Sequence, residues 1–158
     1  MSGTNVELTS TEISNIWSSY LKGSMELRFF QYFNATAEDP EVKNIVEKMM
    51  EFSQKSLEEL EVIFKKENLT IPLGFTEKDV RLDADKVFSD TFILYICHDL
   101  TMLSLSTYPS ALPDCTRKDV RNFIQNAIEF TIEIQNEITD LMLSQGTYLK
   151  SPIVAMDH

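Results

Sequence analysis

The sequence predicts an all-α chain folded as a four-helix bundle, with one long crossover between the second and third helices. Three observations carry this reading. Residues 41–53 (EVKNIVEKMMEFS) and 119–131 (DVRNFIQNAIEFT) are related at a constant offset of 78, with Val42/Val120, Asn44/Asn122, Glu51/Glu129 and Phe52/Phe130 identical. A long helical segment used twice implies two related helical hairpins. The chain is 43% hydrophobic and has only four glycines in 158 residues, which leaves long stretches without a breaker. Two of the predicted links are short and one is long, and that contrast sets the topology.

The first helix is predicted over about residues 10–34, with Ser10 or Thr11 as N-cap ahead of Ile13, Ile16, Trp17 and Tyr20. The second covers about 39–68: Asp39 caps it, and Pro40 takes the first helical position, where its missing N–H costs nothing. Residues 69–88, with Pro72 and Gly74, form the crossover. The third helix covers about 89–108 and stops before Pro109; the fourth covers about 116–145, with Gly146 placed for a left-handed C-cap. Fully extended, the crossover reaches ~65 Å, whereas a thirty-residue helix is only ~45 Å long. The link can therefore cross the whole bundle, as in the one-crossover topology of ferritin-like folds. The bundle occupies residues 1–146 as one domain, and residues 147–158 form a C-terminal strap or frayed tail.

The net charge of −11 argues against nucleic acid, whose phosphates need Lys and Arg, and against an anionic membrane surface. The first ten residues lack a basic and an apolar region, and no run approaches the ~18 apolar residues of a membrane span, so a cytoplasmic location is expected. Cys97 and Cys115 read as two reduced thiols.

Bundles of this kind often hold two metals through paired Glu-x-x-His motifs. Neither His98 nor His158 follows a Glu at that spacing, so no metal and no cofactor is expected. At 100° per residue, Glu51 and Glu129 face away from the seams of their helices, towards solvent. The inward positions at mid-height are Ser24, Ser53, Asp99 and Thr131, a predicted polar layer across the bundle centre. Asp99 falls on a third-helix seam of Phe88, Phe92, Tyr95, Ile96 and Leu103. The layer is either a satisfied register-setting feature or an altered small-ligand site. No Ser/His/Asp or Cys/His set shares a face and no phosphate-binding glycine loop occurs, so an enzyme is not expected.

In the first helix the seam breaks at Gly23-Ser24, after which Arg28 and Gln31 take the inward line. Met25, Phe29, Tyr32 and Phe33 move to another face. Either the helix kinks at Gly23, or a second apolar face packs on the strap, the crossover or another subunit. The second account makes these four residues a candidate homodimer interface.

Several short motifs in this order resemble an uncharacterised family of ferritin-like bundles from spore-forming Firmicutes, some labelled spore-coat proteins and many carrying two bundles in tandem. They are Leu8-Thr9-Ser10-Thr11-Glu12-Ile13 with Trp17, and Ile71-Pro72-Leu73-Gly74-Phe75-Thr76 with Asp79-Val80. Phe88-Ser89-Asp90, Arg117-Lys118-Asp119-Val120-Arg121 and Leu143-Ser144-Gln145-Gly146 complete the set. The resemblance implies the fold and no activity, and it adds the spore coat as an alternative location. The function expected is that of a non-catalytic, metal-free structural or interaction protein linked to sporulation or stress. The alternative is a small-ligand-binding protein or degenerate metal-bundle enzyme using the layer around Asp99.

Overall fold

Each helix begins where the chain supplies an acceptor for its free N–H groups. The computed structural model describes residues 6–153. Among these the chain forms four α-helices: α1 (Ser10–Thr36), α2 (Pro40–Lys66), α3 (Asp90–Ala111) and α4 (Lys118–Ser144). The N-cap of α1 is Thr9, in a reciprocal box, and not Ser10 or Thr11 as predicted. The Glu12 N–H donates to Thr9 Oγ1 at 3.1 Å, and the Thr9 N–H donates to Glu12 Oε2 at 2.9 Å. Asp39 caps α2, with Pro40 at its first position as predicted. Helix α3 runs past Pro109 to Ala111, beyond its predicted end. The proline sits in the last, exposed turn, where only one ladder bond is lost, and the Thr107 and Ser110 hydroxyls donate to carbonyls one turn back.

Helix α4 has no side-chain cap of its own, because its N-cap residue is Arg117. Glu12 supplies the acceptor from α1: its Oε1 accepts from the N–H of Thr116 at 2.7 Å and of Arg117 at 2.9 Å. At the other end Asp90, in the first turn of α3, accepts from the N–H of Glu38 and Asp39 ahead of α2. Glu12 and Asp90 lie 78 residues apart, the offset of the sequence repeat. The same offset relates Asn68 to Gly146, both of positive φ, at 54° and 68°. It also relates the closing bonds Leu69 N–H to Phe64 O and Thr147 N–H to Met142 O, each 2.9 Å. The duplication therefore covers both hairpins from cap to cap, well beyond residues 41–53.

The starts of α1 and α4 share one end of the bundle and those of α2 and α3 the other, so the crossover must span its length. It climbs α1 turn by turn. The Phe75 N–H donates to Ser24 Oγ at 3.0 Å, the Tyr32 hydroxyl donates to Asp85 O at 2.7 Å, and Phe88 packs on Phe33. At Gly74 it passes so close to α1 that a Cβ would stand 2.6 Å from Ser24 Oγ. The second apolar face of α1 is thus covered largely by the crossover, and α1 continues through Gly23 without a break.

The core forms two apolar clusters among the described residues. One holds Phe30, Phe33, Val46, Leu94 and Ile138 at the end where α1 finishes. The other holds Ile16, Leu60, Phe64, Val120 and Phe123 at the end where α1 starts. Fully burying each such side chain contributes about 1.5–3 kcal/mol. No helix of the described residues is long and apolar enough to cross a membrane.

Burial acts to raise the Glu12 pKa, but the N–H groups of Arg117, Thr9 and Thr116 outweigh it and hold the carboxyl below its ordinary value. Asp90 behaves likewise, its desolvation outweighed by Lys86 and the N–H groups of Asp39 and Glu38. Both contributions are complete above the ordinary carboxylate values and are lost as pH falls through the depressed folded values. Urea unfolding followed from about pH 5 towards pH 2 should therefore show falling stability, and Glu12→Ala should flatten part of that fall. At pH 7, Glu12→Ala should cost about 3 kcal/mol, because it strands N–H groups at a buried helix start. Asp90→Ala, at a more exposed cap, should cost about 1 kcal/mol. Gly74→Ala should cost about 2 kcal/mol by overpacking against Ser24, with partial recovery in Gly74→Ala/Ser24→Gly.

Candidate functional site

Between the two apolar clusters, at mid-height, lies a cavity of about 40 Å³. Most of its walls come in pairs 78 residues apart: Gly23 with Thr101, Glu26 with Ser104, Phe30 with Tyr108, Phe52 with Phe130, Ser53 with Thr131 and Ser56 with Ile134. The cavity therefore sits on the pseudo-two-fold axis that relates the hairpins. Phe52 and Phe130, an identical pair of the repeat, stack on that axis with ring centroids 3.9 Å apart and planes inclined by 3°.

Glu26 is the carboxylate in this wall. Its Oε1 is buried without a hydrogen-bond partner and stands 3.5 Å from Lys22 Nζ, one turn earlier on α1. Lys22 Nζ donates to Ser104 Oγ at 2.7 Å and lies 5.0 Å from the centre of the Tyr108 ring. Burial raises the Glu26 pKa, and the Lys22 ammonium offsets only part of that. At ~10–15 Å³ per water the cavity has room for a few waters and not for an organic molecule.

Two of the four predicted layer residues belong here. Ser53 and Thr131 line the cavity, and Thr131 Oγ1 donates to Ala127 O at 2.6 Å. Ser24 is buried on another side of α1, beneath the crossover. Asp99 is the larger correction: its side chain is 77% exposed, with Oδ1 3.6 Å from His98 Nδ1. Helix α3 turns Ile93, Leu94, Cys97, Thr101 and Ser104 inward instead. Half-exposing Phe92 and Leu103 costs less than burying an unpaired carboxylate, so the helix rotates Asp99 outward. Glu51 and Glu129 face solvent as predicted. Sequence reasoning missed Glu26 and Lys22; carrying the 78-residue offset into α1 and α3 would have paired Glu26 with Ser104.

The predicted interface residues also separate. Met25 and Phe29 remain 38% and 43% exposed, Tyr32 is half-buried against the crossover, and Phe33 is fully buried in the core. The predicted strap residue Val154 and the terminal His158 lie outside the described residues. The strap's earlier part lies against α3: the Tyr95 hydroxyl donates to Thr147 O and accepts from the Leu149 N–H, and Tyr148 packs edge-on to His98.

The donor set does not fit a di-metal centre. Such a site draws carboxylates from four helices and two imidazoles, whereas here Glu26 faces hydroxyls and an ammonium that repels cations. Among the described residues no three of His, Cys, Asp and Glu are grouped so as to hold a metal ion. Both cysteines are buried and free, and burial pushes the Cys97 thiol up to about 12, which leaves it protonated.

The fold recurs in solved structures. A "putative spore coat protein" from Bacillus halodurans matches with a TM-score of 0.85 at 17% identity, over 96% of this chain and 98% of its own. A conserved hypothetical protein from Mycobacterium tuberculosis matches with a TM-score of 0.70 at 11% identity, over 85% of this chain and 99% of its own. No curated protein matches the sequence. A family model described as "Protein of unknown function (DUF3231)" matches residues 1–158.

The Lys22–Glu26 pair can be tested by denaturation. A carboxyl whose folded pKa is raised favours folding below its ordinary value, and that contribution is lost as pH rises through the folded value, so Glu26 leaves the fold less stable at neutral pH than in acid. Glu26→Gln should be neutral or stabilising at pH 7. Lys22→Met, which strands the buried carboxylate, should cost about 3 kcal/mol. Lys22→Met/Glu26→Gln should recover most of that loss.

Proposed function

We propose that this chain, which belongs to the DUF3231 family of proteins of unknown function, is a non-catalytic bundle that works by association, as a structural or interaction protein that forms homodimers. The reading rests on one asymmetry between two halves that otherwise match. On α1 the crossover lies along the face carrying Ser24, Met25 and Arg28. The equivalent positions on α3, 78 residues on, are Met102, Leu103 and Ser106. Met102 and Leu103 are 53% and 47% exposed, and Phe92 on the same side of α3 is 51% exposed. The described part of the C-terminal segment, to residue 153, starts along the path equivalent to the crossover and then leaves the surface, with Leu149 and Ile153 80% and 88% exposed. A second copy related by a two-fold axis, the commonest oligomer symmetry, would bury these side chains at the centre of the contact.

The bundle centre supports the non-catalytic part of the reading. Its carboxylate is tied to a lysine in a space too small for a substrate. The spore-coat name of the Bacillus halodurans protein supports a role in sporulation or stress. That part is tested by immunodetection in the coat extract of spores and in vegetative cytosol; presence in the cytosol alone would remove it.

Light scattering tests the association. The full chain should be a dimer at micromolar concentration. Met102→Asp/Leu103→Asp should be monomeric with unchanged helical circular dichroism, and a chain ending at Lys150 should remain dimeric. A full chain that stays monomeric, with association only after truncation, would mean that its own tail covers α3.

A further inference from the structure

The crossover does not close completely over α1. Beside it runs a groove of about 400 Å³, within the size range of small-molecule pockets. Its walls are mainly apolar and include Met25, Phe29, Val80 and Phe88. Arg28 stands in the same wall. In a chain with 25 acidic and 14 basic residues, this half-buried arginine has no carboxylate within 4.0 Å among the described residues. Its Nη1 donates to the side-chain oxygen of Gln31 at 2.8 Å, while its buried Nε has no acceptor. A guanidinium offers five donors in a planar fork suited to a carboxylate. Here that fork borders an apolar wall, with no side-chain carboxylate of the described residues paired to it.

The second half of the bundle has no counterpart. The positions equivalent to Arg28, Phe29 and Tyr32 are Ser106, Thr107 and Ser110; among the described residues no segment comparable to the crossover lies beside them, and they line a groove against α1 that holds Lys22 but no arginine. The groove therefore exists because the crossover stands off α1 at this height, held by Ser24 below and Tyr32 above. Asp79, Asp85 and Arg81 also line it, and Arg81 is a largely exposed side chain whose Nε lies 3.9 Å from Asp83 Oδ1. Asp79 Oδ2 is engaged by the Thr76 N–H at 2.7 Å, closing the turn of the crossover and leaving Arg28 without an internal anion.

We propose that this groove binds a small molecule with one carboxylate and an apolar body. The carboxylate pairs with the Arg28 guanidinium and the body lies against Met25, Phe29 and Phe88. The site is separate from the α3 face assigned to dimerisation, so each can fail without the other.

The probes are octanoate and, as its uncharged counterpart, octanol, titrated into the full chain by calorimetry. Octanoate should bind at one site per chain and at least tenfold more tightly than octanol. Arg28→Met should weaken octanoate binding about tenfold, the loss expected for a charge-assisted contact, and leave octanol binding unchanged. Arg28→Lys should keep part of the preference for the acid. Phe29→Ser should weaken both ligands. Thermal unfolding of each variant checks that the fold persists. Absence of octanoate binding, equal binding of acid and alcohol, an octanoate affinity indifferent to Arg28→Met, or several weak sites per chain would each overturn the proposal.

Discussion

The arrangement of the hairpins depends on a buried carboxylate serving two helices. Glu12 is fully enclosed, closes the first turn of α1 on Thr9, and receives the N–H groups of Thr116 and Arg117 ahead of α4. A helix start leaves N–H groups without intrahelical partners, and burying them without an acceptor is costly. The start of α4 is therefore held where Glu12 can reach it, and the two hairpins are joined at that end by a charged group that tolerates little displacement. Arg117 extends the joint, with one edge on Asp119 and its Nη1 on Glu67 at the end of α2. The opposite end repeats the plan in weaker form: Asp90 serves the start of α2, and Gln145 reaches Asp39 at 2.8 Å.

These two joints define a pseudo-two-fold axis, and most features of the interior follow from it. The stacked Phe52 and Phe130, the paired cavity walls and the left-handed residues Asn68 and Gly146 all sit at equivalent positions. Symmetry is broken at two places with chemical consequences. At the centre, Glu26 and Lys22 have Ser104 and Leu100 as their counterparts, so the charge lies on one side of the axis only. On the surface, the crossover lies along part of the outer face of α1, whereas no described segment lies along the matching face of α3, where Met102 and Leu103 are half-exposed. The polar centre and the two unlike outer faces are thus where the two halves differ most in what they can bind.

How much of this was legible in the chain depended on how many faces each helix buries. Helices α2 and α4 bury one face and wet the other. Their seams, from Val42 to Ile63 and from Val120 to Leu141, stand where helical periodicity puts them, with Ser53 and Thr131 inward and Glu51 and Glu129 outward. Asp39-Pro40 and Gly146 were equally plain, because they act through their own backbone chemistry, whereas α1 is capped at Thr9 ahead of the expected residues and Pro109 does not stop α3. Together with the link lengths, these local signals determine the fold class and the crossover topology.

Helices α1 and α3 carry apolar residues on more than one face, and there periodicity has no single answer. Whether Ser24 looked at the centre or at the crossover, and whether α3 presented Asp99 or Thr101, depended on what packed against each face. The crossover took one side of α1, so Ser24 and Phe33 went to contacts that no spacing rule indicates. The desolvation of a lone carboxylate turned Asp99 outward, while Glu26 could go inward because Lys22 follows the same face of α1. The chain therefore encoded its helices and their order through interactions a few residues long. The central site and the exposed surfaces were settled by contacts between residues dozens of positions apart, where one buried charge outweighs several half-exposed apolar side chains.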